Sequence, residues 1–99
     1  MMTEAEMKEI LTRMLVALFP GVKIYLFGSF ARGTHKDRSD IDISLDMGRK
    51  LSNLEIVKAN NIVEALNIPR KVDIVDFNRA PDYLRDVILK EGIPWSELT

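Results

Sequence analysis

Residues 28–45 read GSFARGTHKDRSDIDISL, and the fold turns on how that stretch is divided. The run before it, Val22–Phe27 (VKIYLF), is rich in β-branched and aromatic residues and reads as a strand buried on both faces. Gly28-Ser29 ends that strand. Ser29–Arg32 suits a single helical turn, and Gly33 lets the chain leave it. From Asp40 the pattern alternates strictly, with Ile41, Ile43 and Leu45 facing one way and Asp40, Asp42 and Ser44 the other. Aspartate is depleted in strands. Two of them among isoleucines point to a use other than stability, and a bound cation is the first candidate.

Upstream, Thr3 and Glu6 have capping-box spacing. Met7, Ile10, Leu11, Met14, Leu15 and Leu18 then form one helical stripe, which Pro20-Gly21 stops. Downstream, Met47–Lys50 is a turn. Ser52 and Glu55 repeat the capping box and open a helix over Asn53–Leu66, with Leu54, Val57, Ile62 and Leu66 on its apolar face. Lys71–Asp76 (KVDIVD) is a third strand, with Asp73 among β-branched neighbours. A last helix starts at Pro81-Asp82, turns Leu84, Val87 and Ile88 inward, and ends at Gly92 as a C-terminal cap. Ile93-Pro94-Trp95 then folds back, with Trp95 covering an edge of the core.

The order helix, strand, short helix, strand, helix, strand, helix predicts an α+β fold: a small mixed, largely antiparallel sheet packed with helices, in one domain over residues 1–99. Eleven residues, Ser29–Ser39, lie between Gly28, where the first strand ends, and Asp40, where the second opens. A parallel crossover takes a dozen or more, so this pair is expected to be antiparallel, which sets Gly28-Ser29 beside Asp40 and Asp42.

Composition narrows the function classes. Of 99 residues 46% are hydrophobic and 29% charged, as in an ordinary globular chain. A net charge of −1 gives no global basic field for nucleic acid. The longest uncharged apolar run, Met14–Phe19, is six residues, far short of a membrane span. The acidic N-terminus is no secretion signal, and without cysteine there is no disulfide or thiolate metal site. A cytoplasmic location fits these features. Arg32, His35, Lys36 and Arg38 crowd the connector between the glycine-serine pair and the aspartates.

Residues two apart on a strand share a face, with Cα atoms about 6.5–7 Å apart. Two carboxylates so placed can converge on a pair of magnesium ions, which prefer oxygen ligands and keep water and phosphate. Asp73, mid-strand, is the candidate third carboxylate of a two-metal site. Asp76 has the opposite parity and Asp46 falls at the turn, so both are expected to be solvated. Gly28 permits close backbone approach to a ligand, and N–H groups opening a helical turn favour phosphate oxygens. His35 is expected to be an exposed loop residue, and Tyr25 and Tyr83 to pack.

Gly28-Ser29, ten residues, then Asp40-Ile41-Asp42, with Asp73 later, resembles the minimal nucleotidyltransferases of the DNA polymerase β-like superfamily. GSFARG is close to that family's GS-x-A-R-G, and PDYLRDVILKEGIPW resembles its last helix and tail. The resemblance spans nearly the whole chain. It implies the polymerase β-like nucleotidyltransferase fold and transfer of AMP from ATP to a hydroxyl, with pyrophosphate leaving. Asp40, Asp42 and Asp73 would be catalytic and hold two Mg2+ ions. Gly28 and Ser29 would hold the β- and γ-phosphates, with Arg32 and Lys36 or Arg38 adding charge. It further implies an antitoxin paired with a HEPN-type toxin whose tyrosine receives the AMP. A non-catalytic antitoxin that blocks its partner by occlusion is the alternative. A small-molecule acceptor ranks last, since a chain of this size has no acceptor-binding domain.

Overall fold

The computed structural model describes residues 2–35 and 39–95. The elements are α1 (Glu4–Leu18), β1 (Lys23–Phe27), α2 (Ser29–Arg32), β2 (Ile41–Asp46), α3 (Asn53–Ala65), β3 (Val72–Asp76), a 3-10 turn (Phe77–Arg79), α4 (Asp82–Glu91) and β4 (Ile93–Pro94). This is the α+β order expected, with the 3-10 turn and the two-residue β4 added. Among the described residues no helix is long and apolar enough to cross a membrane.

Both capping boxes form. The Thr3 hydroxyl accepts from the Glu6 N–H while Glu6 accepts from the Thr3 N–H, and Ser52 and Glu55 do the same at α3. Each pair satisfies two of the donors that a helix start leaves orphaned. At α3 the box is reinforced, because Arg49 forks onto both oxygens of Glu55 at 2.9 and 2.8 Å. These bonds hold the Glu55 carboxyl down to about 2, Arg49 being the largest cause and the Ser52 N–H the next.

The sheet runs β3-β2-β1-β4, with β1 antiparallel to β2 and β4, and β2 parallel to β3. The β1–β2 pairing sets Phe27 opposite Asp42 and Tyr25 opposite Ser44. Ile24, Leu26, Ile41, Ile43 and Leu45 therefore share the opposite face. There they form the core with Met7, Leu11 and Leu15 of α1, Ala59 and Val63 of α3, and Trp95 from the returning tail. On the other face α4 packs against β1, with Gly92 so close that a Cβ there would meet the Ile88 carbonyl and Tyr25. Gly92 ends α4 as expected, and this close approach is what requires glycine, since its φ of −65° is open to any residue.

Four expectations are corrected. Leu54 and Val57, assigned to the inner face of α3, are 62% and 51% exposed. The inner face is Ile56, Ala59, Val63 and Leu66, where the small Ala59 lets α3 approach. Val87 faces partly outward on α4, leaving Ile88 as its buried residue. Tyr83 is 73% exposed, whereas Tyr25 is half-buried. His35 is half-buried too, stacked on the Phe30 ring (centroids 4.0 Å apart, planes 8° apart), with Nε2 2.8 Å from Glu4 Oε1.

The carboxylates expected to be solvated also differ. Asp76 is 8% exposed at the end of β3. Its Oδ2 accepts the Leu51 N–H at 2.8 Å, its Oδ1 accepts the Asn78 N–H at 3.2 Å, and Arg79 Nε lies 3.4 Å away. Arg79 in turn donates to the Leu51 carbonyl at 3.1 and 2.8 Å. The pair pins the fully buried Leu51 at the entrance to α3. Asp46 is half-buried and accepts from the Gly48 N–H and from Asn78 Nδ2, both at 2.8 Å.

Candidate functional site

The parity rule that set Asp76 aside brings the other three aspartates to one face. In the parallel β2–β3 register Asp42 lies directly opposite Asp73. Directly opposed residues point the same way, so both side chains leave the sheet on the face away from the main core. Asp40 has the parity of Asp42 and precedes the first residue of β2.

Across β2 on its other side the chain leaves β1 through Gly28. Its φ of 76° and ψ of −155° are a conformation that side-chain-bearing residues avoid. A Cβ at that position would collide with Asp42 Oδ2. The glycine thus brings the backbone against the carboxylate at the point where α2 begins. That short helix is closed by Gly33 in the left-handed region (φ 73°), and the Thr34 N–H donates to the Ser29 carbonyl at 2.9 Å. The first N–H groups of such a turn lack intrahelical partners, and here they open beside Asp42.

Burial is the largest influence on Asp42, and the charges of Asp73 and Asp40 come next. Together they raise its carboxyl above the ordinary range, against the opposing pull of Arg32 and Lys71. A half-buried carboxylate crowded by two others is short of positive charge, and that suits hard divalent cations. Among the described residues no three carboxylate or imidazole groups are close enough to hold a metal ion by themselves. Ions held by Asp40, Asp42 and Asp73 would therefore complete their shells with water and phosphate oxygens, as magnesium does.

Of the cationic residues, Arg32 donates Nη1 to Glu91 Oε2 at 3.2 Å, tying α2 to the end of α4. Lys36 and Arg38 lie outside the described residues. Sequence reasoning missed Lys71, whose Nζ is 3.6 Å from Asp73 Oδ1. The signal was available: Lys71 is two residues before Asp73 and so shares its face. Arg70, also missed, donates to the Ser39 carbonyl at 3.4 Å and lies 4.9 Å over the Phe30 ring. It fastens the start of β3 to both ends of the connector.

The family described as "Polymerase beta, Nucleotidyltransferase" matches residues 9–95. The chain is similar to protein adenylyltransferase MntA of Thermococcus cleftensis, at 32% identity over 96 residues, covering 94% of this chain and 96% of that one. A Methanocaldococcus jannaschii relative is 35% identical over 79 residues, covering 79% and 84%. Among solved structures the chain is similar to a toxin-antitoxin crystallised with AMP-PNP. That match has a TM-score of 0.75 and 29% identity, and covers 89% of this chain and 71% of that one. The order of helices and strands agrees with these likenesses. The chain belongs to the polymerase β-like nucleotidyltransferase family, among its minimal, MntA-like members.

Proposed function

We propose that the protein is a magnesium-dependent adenylyltransferase that moves AMP from ATP to a hydroxyl of a partner protein. The partner is a HEPN-type toxin, the acceptor one of its tyrosines, and the outcome antitoxin action. The observation that carries this reading is the Asp42–Asp73 pair, opposed in register and flanked by the Gly28 turn. It is supported by relatives named protein adenylyltransferase and by neighbours solved as toxin-antitoxin complexes.

In the reaction the acceptor oxygen bonds to the α-phosphorus of ATP, the bond from that phosphorus to the β-bridging oxygen breaks, and pyrophosphate leaves. The hydroxyl proton passes to solvent. Asp40, Asp42 and Asp73 would hold two magnesium ions, which supply Lewis-acid charge at the phosphates and lower the pKa of the attacking hydroxyl. Gly28 and Ser29 present main-chain N–H groups and a hydroxyl to the outer phosphates. Arg32, whose charge acts on Asp42, would add positive charge toward the phosphates. Asp73, on the outermost strand, orients the acceptor.

ATP labelled on the α-phosphate tests the reaction class. With magnesium and the partner, label is expected on the partner protein. Label that arrives from the γ-phosphate instead would mark a kinase, and the proposal would fail.

A further inference from the structure

We infer that the outer edge of β3 receives the protein segment bearing the acceptor hydroxyl, as an added strand. This rests on the function proposed above and extends it to how the acceptor is held.

The sheet has two edges, and they are built differently. β4 is two residues long and includes Pro94, which lacks a donor. Short length and proline are standard protections against unwanted strand pairing. β3 has five residues, no proline and, among the described residues, β2 as its single strand neighbour.

The phase of the ladder shows what that edge offers. The Ile41 N–H donates to the Lys71 carbonyl at 2.8 Å, and Ile41 stands opposite Val72. In a parallel ladder alternate residues turn both main-chain groups to the same neighbour. Lys71, Asp73 and Val75 therefore face β2, while Val72 and Ile74 turn N–H and C=O outward. Among the described residues no backbone hydrogen bond outside the strand ladder reaches those two. Val72, Ile74 and Val75 are half-buried, whereas Ile41, Ile43 and Leu45 of β2 are buried.

Asp73 sits between the two outward-turned residues. A residue of an added strand placed opposite Asp73 would lie about 4.8 Å away and share its face. A hydroxyl on that residue is thereby delivered to the carboxylate face. Its two flanking residues point to the α3 side, where a pocket of about 430 Å³ opens between Val63, Glu64, Asn67, Ile68 and Val72. Lys71, 71% exposed and on the same face as Asp73, complements an acidic residue two positions from the acceptor. The occupant is thus an extended partner segment with a central hydroxyl residue, an apolar flank and an acidic residue two positions away. Main-chain bonds supply its affinity and the alternating side chains its specificity.

Hydrogen exchange resolved to single amides tests this on the wild-type chain with Mg-AMP-PNP, alone and with the HEPN-type partner. AMP transfer is measured in parallel with Mg-ATP. The Val72 and Ile74 amides are expected to exchange fast in the chain alone and roughly tenfold or more slower in the complex. A Val72→Pro variant removes one outward donor at the first strand position, where proline is tolerated. It is expected to raise KM for the partner about three- to tenfold, with Mg-AMP-PNP affinity read alongside to show that the site has folded. Transfer without added protection at Val72 and Ile74 overturns the inference and leaves the function standing. Protection already present in the chain alone, through edge-to-edge pairing of two copies, overturns it as well. Absence of transfer to the partner overturns the function and the inference together.

Discussion

The carboxylate of Asp42 fills the space in which any residue other than glycine at position 28 would place its Cβ. Phosphate-suited turn and metal-suited carboxylate are therefore one construction, and neither can be altered without disturbing the other. Gly28→Ala meets both the collision and a backbone conformation that costs of order 1–3 kcal/mol for a residue with a side chain. The expected result is a Tm lower by roughly 4–8 °C per kcal/mol and loss of AMP transfer. A thermal melt and a transfer assay on the same preparation check it. Unchanged transfer would mean that the turn does not shape the site.

Asp42 carries an electrostatic cost. Its folded-state carboxyl is held above the ordinary value of 3.8 by burial, Asp73 and Asp40. Its contribution to stability is thus whole below that ordinary value and is lost as pH rises through the raised one. Metal-free Asp42→Asn is expected to be more stable than the wild type at neutral pH, with the gap closing toward pH 4. Magnesium should narrow the neutral-pH gap by stabilising the wild type alone. Urea unfolding at both pH values, with and without chelator, reads this out.

Glu55 runs in the opposite sense. Its carboxyl is lowered from 4.5 to about 2, chiefly by Arg49. The stability it contributes is present above 4.5 and disappears as pH falls through about 2. Glu55→Gln is expected to be less stable than the wild type at neutral pH, the difference shrinking across that acid window. Circular dichroism melts along a pH series follow it, and a difference that stays constant would contradict the ion-pair account.

Asp76 is structural. Asp76→Ala strands the Leu51 and Asn78 N–H groups. Each buried donor left unpaired costs about 1–3 kcal/mol. The variant should unfold at clearly lower urea, yet keep magnesium binding, since Asp76 points to the opposite face from Asp42. Loss of metal binding in the folded variant would place Asp76 in the site.

Much of the site was legible because strand parity is rigid: a period of two forces Asp40 and Asp42 onto one face, and a mid-strand Asp73 can be matched to them. The registry that sets Asp73 opposite Asp42 was not legible, since parallel pairing depends on how α3 returns the chain. Periodicity also failed on α3, where Leu54 and Val57 compete with Ile56, Ala59 and Val63 for the inner face. Sequence favours the larger residues, but packing against α1 favours the small Ala59. Asp76 was misread because its partners, Leu51 at the entrance to α3 and Arg79 in the 3-10 turn, lie in connecting segments with no apolar pattern. Arg70 precedes a strand, where cations usually face water, and its anchoring appears once β3 is placed, whereas Lys71 could be matched to Asp73 by parity.

Intact mass of the partner protein after incubation with this chain and ATP reads the transfer of AMP directly. Whole AMP units are expected to be added with wild type and magnesium, and none with chelator or with Asp42→Asn, whose fold a thermal melt on the same preparation checks. Equal AMP addition by Asp42→Asn, or none by the wild type with magnesium and the partner, would contradict the proposed function.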